Sequence, residues 1–230
     1  MNVDLKTIGL LGGMAWPSTQ DYYYLLNTEI EKRLGFNHSA KCIIYSYDFN
    51  SINPTFRNSE EITNQLETGI NSLQAASADI ILLCSNTIHK FLDKIKDRFS
   101  EDLFLDVRDC VGSYLTNSGI KNCLLLGTRF TMSEPFYGSY LSTKYDVNVI
   151  VPDREEQLKI HSLIFEELVN NIVSEKSIDF FKKIVTLYKV DAIILACTEL
   201  RMVFNNINTS KIIVDSTKVH ASAAIDIIIK

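Results

Sequence analysis

Seven short apolar runs, separated by longer stretches that are mostly amphipathic, constrain this chain more than any other feature. They are Thr7–Leu11, Cys42–Tyr47, Asp79–Leu83, Asn122–Leu126, Val147–Val151, Ala192–Ala196 and Lys211–Val214. Each is apolar on both faces and rich in Ile, Leu and Val, as strands buried inside a parallel sheet are. Between two of them Ile62, Leu66, Ile70, Leu73 and Ala76 recur at the helical period, with Ser59 and Glu60 as a start signal. A second helical stretch follows Pro152, with Leu158, His161, Ile164, Phe165 and Leu168 on one expected face. Strand and helix alternating in this way predict right-handed βαβ units and an α/β fold.

The chain also repeats itself. Asp79–Ser85 lies over Asp191–Cys197 at an offset of 197 − 85 = 112 residues. Leu11-Gly12-Gly13 lies over Leu126-Gly127-Thr128 at 127 − 12 = 115. Two matches in the same order imply two similar, pseudo-symmetric α/β domains with parallel sheets. The expected boundaries are 1–115 with 216–230 for the first domain and 116–215 for the second.

Composition narrows the function classes. With 230 residues, 46% hydrophobic and 22% charged, the chain has enough apolar surface for a sizeable core, and disorder is excluded. A net charge of −5 argues against nucleic acid or an anionic membrane as a partner. No apolar run approaches the roughly 18 residues of a membrane span. The start MNVDLKTIGLLGG lacks the basic region and cleavage site of a signal peptide. Five cysteines, an odd number lying mostly in apolar runs, read as reduced thiols. A cytoplasmic protein is expected.

In open α/β sheets ligands bind beyond the C-terminal ends of the strands. Four polar clusters fall there: Gly12-Gly13-Met14, Ser85-Asn86-Thr87, Gly127-Thr128 and Cys197-Thr198-Glu199. Backbone N–H groups and short hydroxyl or amide side chains at such ends can hold a carboxylate without a metal. Two facing halves would form one cleft, and the repeat puts Ser85 and Cys197 at equivalent places on its walls.

The ordered segments GLLGGMAW (9–16), LLCSNTIHK (82–90), LLGTRFTM (125–132), VPDREE (151–156), IILACTEL (193–200) and VDSTKVHA (214–221) resemble the aspartate/glutamate racemase family. The resemblance is closest to its broad-specificity amino-acid racemase branch and runs from about Ile8 to His220. It implies a cofactor-independent enzyme with two α/β domains, usually a homodimer, acting on aspartate, glutamate or a related amino acid. Two opposed thiols, one per domain, would remove and replace the Cα proton. Inversion needs a base on one face of the carbanion and an acid on the other. A thiol suits both roles because its pKa falls at a helix N-terminus.

The resemblance makes Cys197 the second thiol and puts Ser85 where the first is usual. A hydroxyl is the weaker acid, although close members of the family carry Thr there. Asn86, Thr87, Thr128 and Thr198 resemble positions that grip the substrate's α-carboxylate and amine, and equally suit helix caps. Met14 and Trp16 are placed to wall the pocket, or to sit in the core. Glu199 is a supporting acid or a helix N-terminal charge. His89 and His220 either tune a thiol or are simply packed.

Cys84, pointing away from Ser85 on a strand, is expected in the core with Cys42, Cys110 and Cys123. Where the family often has a basic residue followed by Gly, Asn170-Asn171 stands, and Arg57 is the one cation of the loop after Phe49. No glycine-rich nucleotide motif, metal-ligand spacing or Schiff-base lysine stands out, so neither cofactor nor metal is expected. Two alternatives remain: a single-thiol decarboxylase of a malonate-type acid, and an amino-acid binder without turnover.

Overall fold

In the computed structural model, which describes residues 5–229, every one of the seven apolar runs is a strand, with ends shifted by at most one residue. The strands are β1 (Ile8–Gly12), β2 (Cys42–Ser46), β3 (Ile80–Leu83), β4 (Asn122–Gly127), β5 (Asn148–Ile150), β6 (Ala192–Ala196) and β7 (Ile212–Asp215). They form two parallel sheets, ordered β2-β1-β3 and β5-β4-β6-β7. In each sheet the first strand in chain order lies between the second and the third. The internal repeat is thus a repeat of topology, and β7 is the addition in the second sheet.

The chain divides into two compact units, Met1–Val107 with Thr217–Lys230, and Arg108–Ser216. The first crossing falls at the start of the helix Val107–Asn117.

In the first unit the period-two alternation of β1 and β3 feeds two cores. Leu11, Ile81 and Leu83 pack with Ile62, Leu66, Ile70 and Leu73 of the helix Ser59–Ala75. Ile8, Leu10, Leu82 and Cys84 pack with Tyr22, Leu26 and Ile30 of the helix Trp16–Leu34 and with Ala221 and Ile225 of the helix Ser216–Ile228. The helix Ser59–Ala75 keeps its expected face from Ile62 to Leu73, but Ala76 is its exposed C-cap, and its N-cap is Asn58, in a capping box with Glu61.

In the second unit Leu124, Leu126, Ile193 and Leu195 pack with Ile160 and Ile164 of the helix Arg154–Glu166 and with Phe181 and Ile184 of the helix Glu175–Leu187. The helix after Pro152 buries only part of the expected face: Ile164 is buried, as is Leu168 just beyond the helix, while Phe165 is 40% exposed. Ile160, Leu163 and Ile164 are its buried residues, while Leu158 is 49% exposed. The expected stripe and the buried one are both apolar enough to pack. The all-aliphatic one wins because the other would carry the His161 imidazole into the core at a desolvation cost.

His220 is wholly buried in the first unit. Its Nε2 meets the Leu105 carbonyl at 2.8 Å and its Nδ1 meets the Tyr22 hydroxyl at 2.8 Å. A carbonyl only accepts, so Nε2 carries the proton and Tyr22 donates to Nδ1. Burial first, then the nearby His89 ring, push the His220 pKa down to about 3, against the smaller opposing pull of the Leu105 carbonyl and Asp106. A folded-state pKa below the unfolded value gives stability that is complete above pH 6.5 and is lost as pH falls toward 3. Denaturant titrations should show this as a loss of about 2 kcal/mol between pH 7 and pH 5, absent in His220→Gln. Equal pH slopes in the two proteins would refute it.

Candidate active site

The clusters expected at strand ends come together in pairs, one pair in each unit, because their strands are hydrogen-bonded neighbours. In the first unit Leu11 of β1 is in register with Leu83 of β3, and the Cys84 N–H donates to the Leu11 carbonyl at 2.9 Å. Gly12-Gly13-Met14 and Ser85-Asn86-Thr87 therefore leave the sheet side by side. Gly13 has φ +87°, a conformation that favours glycine. Its N–H donates to Thr19 Oγ1 at 2.8 Å.

Ser85 and Thr87 are half-buried and Asn86 is buried. His89 Nδ1 lies 2.9 Å from the Ser85 carbonyl. As that oxygen only accepts, Nδ1 is the donor, and the ring holds the backbone of Ser85. Met14 is 6% exposed and packs with Leu11, Tyr47 and Ile52. Trp16 is 67% exposed, so its core alternative does not hold.

In the second unit Gly127 of β4 is in register with Ala196 of β6, which brings Thr128 beside Cys197-Thr198-Glu199. Thr128 does cap a helix, the short Arg129–Ser133, by accepting the Thr131 N–H at 3.4 Å. Cys197 is half-buried, and its Sγ donates to Glu199 Oε2 at 2.8 Å. Burial raises the Cys197 thiol well above its ordinary pKa, and the Glu199 carboxylate raises it further. The expected lowering by a helix N-terminus is outweighed. A thiol two residues from a carboxylate, at a turn rather than on a regular helix, meets the negative charge before any helix dipole.

The Cys197–Glu199 pair makes a direct prediction. Glu199→Gln removes the charge that raises the thiol pKa and leaves only a neutral amide oxygen to accept from it. Alkylation of Cys197 by iodoacetamide, followed by peptide mass spectrometry, should move to lower pH in that variant. A profile that stays in place or moves upward would disprove the coupling.

Burial raises other thiols as well. Cys84, Cys110 and Cys123 are buried, and Cys42 is only half-buried. Burial pushes the Cys42 thiol up to about 11 and the Cys123 thiol up to about 12. All five thiols are unbridged. Arg57 donates through Nε to the Asn50 carbonyl at 3.2 Å, and the exposed Asn170 donates through Nδ2 to the Glu166 carbonyl at 3.2 Å. Both side chains make local contacts with their own segments. Among the described residues no group of three His, Cys, Asp or Glu side chains is arranged to hold a metal ion, and no helix is long and apolar enough to cross a membrane.

Two residues of these turns escaped the sequence reading. Thr19 is buried in the first turns of its helix and accepts the Gly13 amide. The signal available was a hydroxyl six residues after a Gly-Gly turn, which alone is weak. His161 accepts the Arg129 amide, and its spacing in the chain gave it only a place on a helix face.

Comparison with known proteins agrees with this fold. Residues 11–224 match the Asp/Glu/hydantoin racemase family. A Yersinia pestis protein assigned to the Asp/Glu racemases is 35% identical, with a TM-score of 0.87 over 97% of this chain and 99% of its own. An aspartate racemase homologue from Pyrococcus horikoshii is 28% identical, with a TM-score of 0.82 over 97% and 99%. An aspartate racemase from Picrophilus torridus is 25% identical, with a TM-score of 0.72 over 96% and 93%. With two parallel-sheet units and a match over nearly all its length, the chain belongs to the Asp/Glu/hydantoin racemase family of isomerases.

Proposed function

We propose that the chain is a racemase of aspartate, glutamate or a related amino acid, with Cys197 as one acid/base and Ser85 as its partner for the opposite face. The observation that carries this reading is the Cys197 thiol donating to the Glu199 carboxylate at 2.8 Å beside the Thr128 turn. As an acid, Sγ–H gives its proton to one face of the Cα carbanion. As a base, Cys197 passes that proton to Glu199 and takes the Cα proton as thiolate. Thr128 and Thr198 would hold the substrate's polar groups from the second unit, and Asn86 and Thr87 from the first, with Met14 shaping the turn beneath. A thiol and a hydroxyl supply acid and base without pyridoxal phosphate. Five unbridged thiols suit a reducing cytoplasm, where the enzyme would work as a homodimer and supply D-amino acids.

The test is Cα hydrogen–deuterium exchange. The protein is incubated in D₂O with a panel of L- and D-amino acids, followed by proton NMR and chiral chromatography. Exchange with inversion for an acidic or related amino acid is the expected result. Absence of exchange with every member of the panel overturns the reading. Exchange without inversion removes Ser85 from the reaction while leaving Cys197 in it.

A further inference from the structure

The turn that carries Thr128 is tied down by a side chain far away in sequence. His161 is half-buried on the helix Arg154–Glu166, and its Nδ1 accepts the backbone N–H of Arg129 at 3.3 Å. A ring nitrogen that accepts carries no proton, so the imidazole is neutral with its proton on Nε2. Burial first, and then the Arg129 guanidinium, hold its pKa below the ordinary value. The ring also packs 4.7 Å from Phe165 and edge-on to Phe130 at 6.3 Å. The Phe130 contact and the hydrogen bond hold it against the segment that follows β4, while Phe165, on its own helix, backs the ring.

Arg129 is the first residue of its short helix, so its amide has no acceptor within that helix. His161 supplies one from 32 residues away. The local contacts are of similar length: Thr128 Oγ1 accepts the Thr131 amide at 3.4 Å and lies 3.2 Å from Thr131 Oγ1, against 3.3 Å for the tie to His161. The tie from His161 is the one among these contacts that reaches the turn from another element, so it anchors how the backbone leaves β4, and with it the direction of the Thr128 hydroxyl.

We propose that His161 is a positioning residue for substrate binding, holding the Arg129 amide so that the Thr128 side chain is presented to the substrate's α-carboxylate. The proposal rests on the racemase reading for the identity of the ligand. It does not rest on that reading for the tie itself. His161 touches no reacting atom, so its loss weakens binding and leaves the chemical step alone.

Two variants separate this role from general packing. His161→Phe keeps the ring stacked on Phe165 and Phe130 but has no acceptor. His161→Asn gives up the ring and returns an acceptor oxygen near the place of Nδ1. The expected result is a KM about tenfold higher in His161→Phe with kcat within about twofold, and most of that loss recovered in His161→Asn. An unchanged KM in His161→Phe, an Asn variant no better than the Phe variant, or a fall in kcat at constant KM each overturns the proposal.

The imidazole ¹⁵N spectrum of the native protein gives a readout independent of activity. At pH 7 it should show the neutral Nε2–H tautomer, and a cation or an Nδ1–H ring overturns the tie whatever the activity. A native chain that exchanges no amino acid overturns the racemase reading and the substrate half of this one, and leaves the ring spectrum to judge the tie alone.

Discussion

Replacing Cys197 by Ala is expected to reduce Cα exchange and racemisation about 10²–10⁴-fold, the usual contribution of a positioned acid/base. Inversion at Cα requires one proton to leave from one face and another to arrive at the opposite face. In the second unit Cys197 is the thiol at the end of β6 whose proton already has an acceptor, Glu199, at 2.8 Å. Alanine leaves Glu199 without a group to relay for. The substitution removes only one atom from a half-buried position, so the fold should persist, and a thermal melt beside the assay checks that. A variant that is well folded and within tenfold of native activity would remove Cys197 from the mechanism.

Gly13→Ala should be the most damaging small substitution in the first unit, costing roughly 3–5 kcal/mol of stability. Gly13 has φ +87°, and a Cβ there would lie 2.2 Å from the Tyr47 carbonyl oxygen and 2.5 Å from its nitrogen. Those atoms are backbone and cannot rotate aside. Tyr47 is itself held, its N–H donating to the Gly12 carbonyl at 3.0 Å and its hydroxyl to the Gln65 carbonyl at 2.7 Å. Gly35 is the control. Its φ is +92° with ψ −179°, but nothing lies within 4 Å of an added Cβ, so Gly35→Ala should cost only the strain of that glycine-favouring backbone, about 1–3 kcal/mol. Denaturant midpoints for the two variants decide the matter, and equal losses would mean that the close approach of Tyr47 has no energetic consequence.

The sheets were legible for a simple reason. Parallel strands are buried on both faces, so they appear in a sequence as short continuous apolar runs, and these runs need no long-range information to be seen. The helix Ser59–Ala75 was legible because only one of its stripes is apolar. The helix Arg154–Glu166 was not, because it carries apolar residues on two stripes, and only the neighbouring sheet selects between them. The same ambiguity concealed His161, whose place beside Arg129 depends on which stripe turns inward.

The sequence by itself determined the two parallel sheets, the repeat of strand order and the clusters at the strand ends, since each is written in local patterns of burial and in matched segments. The tertiary structure alone decided the proton chemistry. Whether a thiol at a strand end is raised or lowered in pKa depends on where one carboxylate two residues on is aimed, and on how much water its surroundings exclude. Those are distances of a few ångströms between side chains. They follow from how the chain turns as it leaves β6, and no pattern of residue types encodes that turn.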